Sequence, residues 1–219
     1  MHRVFHRSAN AIARVSIFGF AFLVVGVSWV VITLGRSAYL TDVGLARVQP
    51  VPFSHQHHVS GLGIDCRYCH TTVEKSSFAG MPATSFCMNC HSQIWSDSPM
   101  LEPVRASFRN SQPLVWTRVH NLPRFAYFDH SIHVNKGVGC STCHGRVDQM
   151  PLTFAQQPMY MEWCLECHRN VAAYIRPRSE IFNMAWQPAP DQLARGQSLI
   201  AEYKIKDMRS LIVCSTCHR

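Results

Sequence analysis

Ten cysteines fall into five copies of one pattern, in which two residues separate a cysteine pair and a histidine follows the second cysteine. At this composition, chance would produce about 0.03 such matches. Thiols at positions i and i+3 can add to the two vinyl groups of a haem, and the next histidine then lies below the iron as its proximal ligand. The pattern therefore predicts five covalently bound c-type haems. The attachment residues are Cys66, Cys69, Cys87, Cys90, Cys140, Cys143, Cys164, Cys167, Cys214 and Cys217, and the proximal ligands are His70, His91, His144, His168 and His218.

Structural zinc is the main alternative use of these cysteines, because Cys-x-x-Cys pairs also bind zinc. Zinc does not require a histidine directly after the second cysteine in every pair. Zinc sites also bring cysteine pairs together in even numbers, whereas this chain has five pairs. A disulfide scaffold is excluded as well, since haem attachment leaves no cysteine to form a bridge.

Length and charge limit the fold that can hold five haems. Residues 35–219 provide 185 residues, or 37 for each haem, which is too little chain to bury five cofactors in an ordinary apolar core. We therefore expect a multihaem c-type cytochrome, with short helices and irregular loops wrapped on a haem stack. The formal charge of +8 does not indicate nucleic-acid binding, because five haems bring ten propionates. Many of the basic residues are arginines, and their forked guanidinium groups suit pairing with carboxylates.

An uncharged run of 20 residues, 15–34, is long enough to span a bilayer as a helix. Arg3, Arg7 and Arg14 precede it without any acidic residue, so the N-terminus is expected in the cytoplasm and the haem region in the periplasm. A cleaved signal peptide is the alternative. The run is longer than a typical signal peptide core and no clear small-x-small cleavage pattern follows it, so we expect an uncleaved anchor in the bacterial cytoplasmic membrane.

The haem motifs are organised as an internal repeat. Their first cysteines are separated by 21, 53, 24 and 50 residues, which gives two pairs and a single motif. Each pair is preceded by Phe-x-His-x-x-His-Val, at 53–59 and at 128–134, and Met-Pro-x-Thr follows the first motif of each pair. The last segment differs, and Asp191 is predicted to cap a helix over 192–203. The predicted segments are a cytoplasmic region (1–14), a transmembrane signal anchor (15–36), a linker (37–52), a first dihaem module (53–110), a second dihaem module (111–180) and a C-terminal single-haem segment (181–219).

Electron carriers usually fill the sixth iron position with a second protein ligand. Eight histidines lie outside the motifs, and His2 and His6 are expected on the wrong side of the membrane to serve. The remaining candidates for the five distal positions are His55, His58, His120, His130 and His133, with His57 expected to contact a propionate or the surface. Methionine is a competing ligand that raises the reduction potential. The methionines close to motifs are Met81, Met150, Met159, Met161 and Met208.

The Phe-x-His-x-x-His segment before a haem motif resembles the class III multihaem cytochromes. That resemblance implies that the first histidine of each segment binds the haem that follows and that the second reaches a different haem. His55 would then pair with His70 and His130 with His144, while His58 and His133 would each bridge to another haem of the stack.

A longer resemblance covers most of the exported region. FDHSIHVNKGVGCSTCHGRVDQMP and the later MEWCLECHR closely resemble the pentahaem cytochrome subunit of alternative complex III, a membrane quinol:electron-acceptor oxidoreductase. The resemblance implies partner subunits of three kinds: an iron–sulfur protein, polytopic quinol-site proteins and a monohaem cytochrome. It also implies a periplasmic electron acceptor.

These patterns predict a membrane-anchored electron-transfer subunit of a respiratory or photosynthetic complex. Outside the haem motifs, the sequence contains no phosphate-binding loop, nucleophile motif or paired-carboxylate motif, so we expect no substrate site on this chain. A stand-alone quinol dehydrogenase cytochrome that docks a periplasmic reductase is the first alternative. A haem enzyme that reduces a small molecule is the second, and it would need a five-coordinate iron.

Overall fold

The computed structural model describes residues 5–218, so His2 and Arg3 of the predicted cytoplasmic region lie outside the described part. Two compact units are present, Met1–Val43 and Gly44–Arg219. The first contains helix α1, Ala9–Gly35, and the short helix α2, Ala38–Thr41. α1 begins six residues before the predicted span, is long and apolar enough to cross a membrane, and has no residue buried within the chain. Signal sequences also meet the criteria of length and composition.

The second unit consists of short helices joined by irregular segments. Its α-helices are α3 (Cys66–Cys69), α4 (Thr84–His91), α5 (Glu102–Asn110), α6 (His130–Asn135), α7 (Cys140–His144), α8 (Met161–Arg169), α9 (Gln192–Glu202), α10 (Met208–Leu211) and α11 (Cys214–Cys217). A π-helical turn covers Gln56–Gly61, and 3₁₀ turns cover Pro99–Leu101, Val147–Gln149, Val171–Ala173 and Arg178–Glu180. Extended segments pair only at isolated antiparallel bridges within residues 5–218: Ala46 with Phe154, Ala126 with His218, and Val138 with Ile175.

Aspartate side chains cap the N-termini of three short helices, but α9, for which the sequence predicts such a cap, has none. The carboxylates of Asp65, Asp129 and Asp207 accept backbone N–H bonds at the start of α3, α6 and α10, and all three residues are extended. α9 has nearly the predicted bounds, but the prediction that Asp191 caps it is wrong. Asp191 has φ −93° and ψ 18°, so its carboxylate does not turn back to the first N–H groups of the helix.

The apolar core of this unit is small. Eleven apolar residues of the described chain are buried, and six of them form two separate clusters. One cluster joins Val51, Leu101 and Val104, and another joins Val73, Val134 and Ile181. Cysteines of haem motifs pack against both clusters, Cys87 against the first and Cys140 against the second. Both clusters therefore lie against motifs that attach haem.

Candidate haem-binding site

Each Cys-x-x-Cys-His motif lies on a turn of helix. The first, third and fifth motifs form α3, α7 and α11, and the second and fourth end the longer helices α4 and α8. Residues three apart on a helix lie on the same face, so both thiols of every motif point to one side. All ten cysteines are free of disulfides. This is the arrangement that two thioether bonds to one porphyrin edge require.

Backbone carbonyls orient most of the proximal histidines. In four motifs, the histidine Nδ1 donates a hydrogen bond to a carbonyl oxygen at 2.7–3.1 Å. The pairs are His70 with Gly80, His91 with Ile94, His168 with Leu211, and His218 with Phe125. A hydrogen bond at Nδ1 fixes the tautomer and leaves Nε2 free to bind a metal. The structure thus presents these imidazoles in the form that an iron ligand needs.

Three proximal histidines face a second imidazole at the spacing of axial ligands. A metal–imidazole bond is about 2 Å long and the ring centre lies about 1.1 Å behind the nitrogen, so two ligands of one iron have centroids roughly 6.3 Å apart. His91 and His58 are 6.2 Å apart by this measure, His144 and His130 are 6.3 Å apart, and His168 and His133 are 6.2 Å apart. The side chains present therefore fit haem with two histidine ligands, and such a haem supplies one-electron transfer when bound.

The two Phe-x-His-x-x-His segments have the same local geometry, although the first continues into the π-helical turn Gln56–Gly61 and the second into α6. Phe53 stacks on His58 and Phe128 stacks on His133, each with centroids 4.4 Å apart. In both segments the Nδ1 of the second histidine donates to the carbonyl four residues earlier, at 2.8 Å for His58 and 2.7 Å for His133. The phenylalanine therefore holds the second histidine, a role that its position in the repeat could have indicated.

The first histidine of each segment is oriented by the other module. His55 Nδ1 lies 2.9 Å from the Thr153 hydroxyl, and His130 Nδ1 lies 2.8 Å from the Ser77 carbonyl oxygen. Thr153 and Ser77 both follow the first haem motif of their own module. We refer to these two contacts as the reciprocal braces. They lock together the two modules that the sequence repeat defines.

His120 remains a prediction as the fifth distal ligand. Its ring meets that of His144 edge to face, with centroids 4.4 Å apart, and its Nε2 is buried without a hydrogen-bond partner. The ring of His218 contacts Phe125 instead, at 5.9 Å. Among the competing methionines, Met150 is buried, whereas Met81, Met161 and Met208 are largely exposed. His57 is exposed and stacks on Trp95 at 6.1 Å, in agreement with a surface contact.

Burial sets the charge state of the candidate ligands. It lowers the pKa of His55 to about 4 and that of His144 to about 3, with neighbouring imidazoles adding to the effect. His120 and His133 are shifted in the same direction by the same cause. These imidazoles are therefore neutral at pH 7, and the neutral form is the one that binds iron. Burial also raises the pKa of Cys143 to about 12, so its thiol is protonated.

Arg176 is a charged residue at the site that the sequence motifs do not indicate. Only 3% of it is exposed, and its guanidinium donates to the hydroxyls of Ser141 and Thr142 between the two cysteines of the third motif. It also lies 4.2 Å above the Trp186 ring, and its Nε has no acceptor. A side chain on Gly139 would clash with this guanidinium, which explains the glycine before Cys140. No sequence signal distinguishes this arginine from the many others.

Two comparisons with known proteins found similar sequences. The family model described as cytochrome c3 matches residues 132–219, which contain the third, fourth and fifth motifs. The chain is also 32% identical to a protein of Nitratidesulfovibrio vulgaris (strain Hildenborough) named "Menaquinone reductase, multiheme cytochrome c subunit". That alignment covers 56% of this chain and 68% of the relative.

Proposed function

Since the chain belongs to the family of multihaem cytochrome c subunits that includes this relative, we propose that it is the pentahaem electron-transfer subunit of a membrane quinol-oxidising complex. Family membership implies covalently bound c-type haems and a quinol-linked electron-transfer role. The count of five rests on the five complete motifs. The main structural support is the spacing of the three histidine pairs, which suits irons that exchange electrons without binding a substrate.

In this proposal, the chain has no substrate site of its own. Quinol is oxidised on a partner subunit, and electrons pass along this chain to a periplasmic acceptor. Helix α1 anchors the chain in the bacterial cytoplasmic membrane, in contact with lipid, with its N-terminus in the cytoplasm and the haem region in the periplasm. The resemblance of residues 128–151 to alternative complex III makes that complex the specific candidate, with its iron–sulfur, polytopic and monohaem cytochrome subunits as partners.

Purification of the native complex tests the proposal. A C-terminally tagged chain, extracted from its own membranes with a mild detergent, is expected to bring out a polytopic subunit and to reduce a soluble acceptor with quinol. A variant with the same tag that lacks residues 5–35 and is exported by a cleavable signal is expected to purify without the polytopic subunit. If the full chain is recovered alone after crosslinking and still oxidises quinol, it is a stand-alone quinol dehydrogenase instead.

Spectroscopy separates the proposal from a haem enzyme that reduces a small molecule. Five histidine- or methionine-ligated haems are low-spin in the oxidised state. A high-spin ferric signal that changes when nitrite or another small ligand is added would indicate an open iron and would contradict the proposal.

A further inference from the structure

We infer that the five haem-binding motifs lie in single file in the order Cys87, Cys66, Cys140, Cys164 and Cys214, so that the second and fifth motifs are the two ends at which redox partners bind. This order differs from the order along the chain, in which the motif at Cys66 comes first. The inference rests on the proposed pentahaem holoprotein and adds the route through it. Four contacts between motifs define the order.

The motifs at Cys87 and Cys66 are adjacent. Asn89 lies between the cysteines of one motif and Tyr68 between those of the other, and Asn89 Nδ2 donates to the Tyr68 hydroxyl at 3.0 Å. Phe86, next to Cys87, meets the Tyr68 ring edge to face at 5.7 Å. In addition, His58 faces His91, the proximal histidine of the motif at Cys87. His55 lies three residues earlier at the start of the same turn. Its counterpart His130 faces His144, in the motif that follows its own segment.

The motifs at Cys66 and Cys140 are joined through the segment around Ile181. The Cys140 N–H donates to the Ile181 carbonyl at 3.1 Å, and Ile181 packs with Val73, three residues after the first motif. Arg67, inside the first motif, lies 4.5 Å above the ring of Phe182. One short segment therefore contacts both motifs, which places them side by side.

Helix α6 joins the third motif to the fourth. His130 and His133 lie one turn apart on α6 and face His144 and His168 respectively, at 6.3 and 6.2 Å. The fourth motif is joined to the fifth by α10, which packs against α8. His168 Nδ1 donates to the carbonyl of Leu211 at 3.0 Å, three residues before Cys214.

Exposure agrees with this order. Cys90 and Cys214 are exposed, whereas the other eight cysteines are partly buried. These two cysteines belong to the second and fifth motifs, at opposite ends of the file. Large apolar side chains are exposed beside each end, with Trp95 at 59% near the second motif and Val213 at 51% next to the fifth.

The iron positions in the haem-loaded full chain test the order directly. Electron cryomicroscopy of the native complex, or of the detergent-solubilised chain, is expected to show each iron nearest to the irons of its neighbours in the file. The inference is overturned if the iron at Cys87 lies nearer to any other iron than to the one at Cys66. It is also overturned if the iron at Cys214 is nearest to any iron except the one at Cys164. Either result leaves the quinol-linked function open, so the two failures are distinguishable.

A redox titration of two matched variants tests the same order in solution. His58→Met at one end and His130→Met at the centre each raise the potential of one haem. That haem stays reduced over the range in which its neighbours titrate, so it places less positive charge near them and lowers their potentials. His58→Met is expected to shift one neighbouring step of the titration, and His130→Met two. Equal numbers of shifted steps in the two variants, both with full haem content, would contradict the single file.

Discussion

His133 and His168 face each other with ring centroids 6.2 Å apart, although 35 residues separate them in the chain. His133 is the second histidine of the second Phe-x-His-x-x-His segment, and the motif directly after that segment contains His144, which faces His130 instead. The two histidines of one helix turn thus serve different motifs. The same relation holds in the first module, where His58 faces His91.

Replacing His133 with alanine is expected to remove the distal ligand from the iron of the motif at Cys164. The motif at Cys140, which follows His133 in sequence, should keep both of its ligands. The oxidised protein should gain one high-spin haem, because the lost imidazole is one of two axial ligands. Added imidazole should restore the low-spin spectrum. Electron paramagnetic resonance and magnetic circular dichroism measure both changes.

The control for this experiment is His57→Ala, since His57 is exposed and contacts the Trp95 ring. Its spectrum should equal that of the unmodified protein. A His133→Ala protein with five low-spin haems and full haem content would show that His133 is not a ligand.

Haem stoichiometry is expected to be five per chain. Each of the ten cysteines belongs to a complete motif and none is in a disulfide, so all ten are available for thioether bonds. A pyridine haemochrome assay and the intact mass should both give five haems. Ser substitutions at Cys214 and Cys217 should reduce both values to four. Bound zinc, or a mass that corresponds to four haems in the unmodified chain, would refute the assignment.

Replacing Arg176 with methionine is expected to lower the reduction potential of the haem at Cys140 and to cost roughly 1–3 kcal/mol of folding free energy. A buried positive charge disfavours the ferric state, which carries one more positive charge than the ferrous state. The hydroxyls of Ser141 and Thr142 also lose their donor. Spectropotentiometry and denaturant unfolding of the haem-loaded protein measure the two effects.

Arg176→Lys and Arg178→Met are the matched controls. The lysine keeps the charge and should retain most of the potential while losing stability. Arg178 is two residues away and lies 4.5 Å above the Tyr203 ring, without contact to the third motif, so its replacement should leave the potentials unchanged. An Arg176→Met protein with unaltered potentials would contradict the charge effect.

The orientation of α1 can be tested with reporter fusions. A reporter that is active only in the cytoplasm, fused after Arg219, should be silent, and a periplasmic reporter at the same position should be active. The expected topology follows from the arginines before the span and from the absence of acidic residues there. Activity of the cytoplasmic reporter would reverse the assignment.

The sequence alone was sufficient for the parts of the site that local spacing determines. Two cysteines at i and i+3 need only one helical turn to point the same way, and α7 and α11 provide that turn. The predicted bounds of α9, 192–203, also differ from the observed Gln192–Glu202 by only one residue. The cap by Asp191 failed since capping depends on the backbone angles of a single residue, which the residue type does not determine.

Contacts between distant segments were beyond the sequence patterns. The carbonyls of Leu211 and Phe125 orient His168 and His218, yet any residue type offers a carbonyl, so no pattern marks these positions. Arg176 is similar, because its importance comes from burial against Ser141 and not from its neighbours in sequence. Tertiary packing decides such features, and a single sequence does not show it.

The reciprocal braces have a consequence for biogenesis. In the proposed topology the region after α1 enters the periplasm in chain order, so His55 meets its partner Thr153 only after 98 further residues have been translocated. His130, in turn, finds the carbonyl of Ser77 already in place 53 residues earlier. The two reciprocal braces therefore cannot form while only the first module is present. Both can form once the second module has been translocated. A translation product that ends between the modules would lack Thr153, and with it the hydroxyl that orients His55.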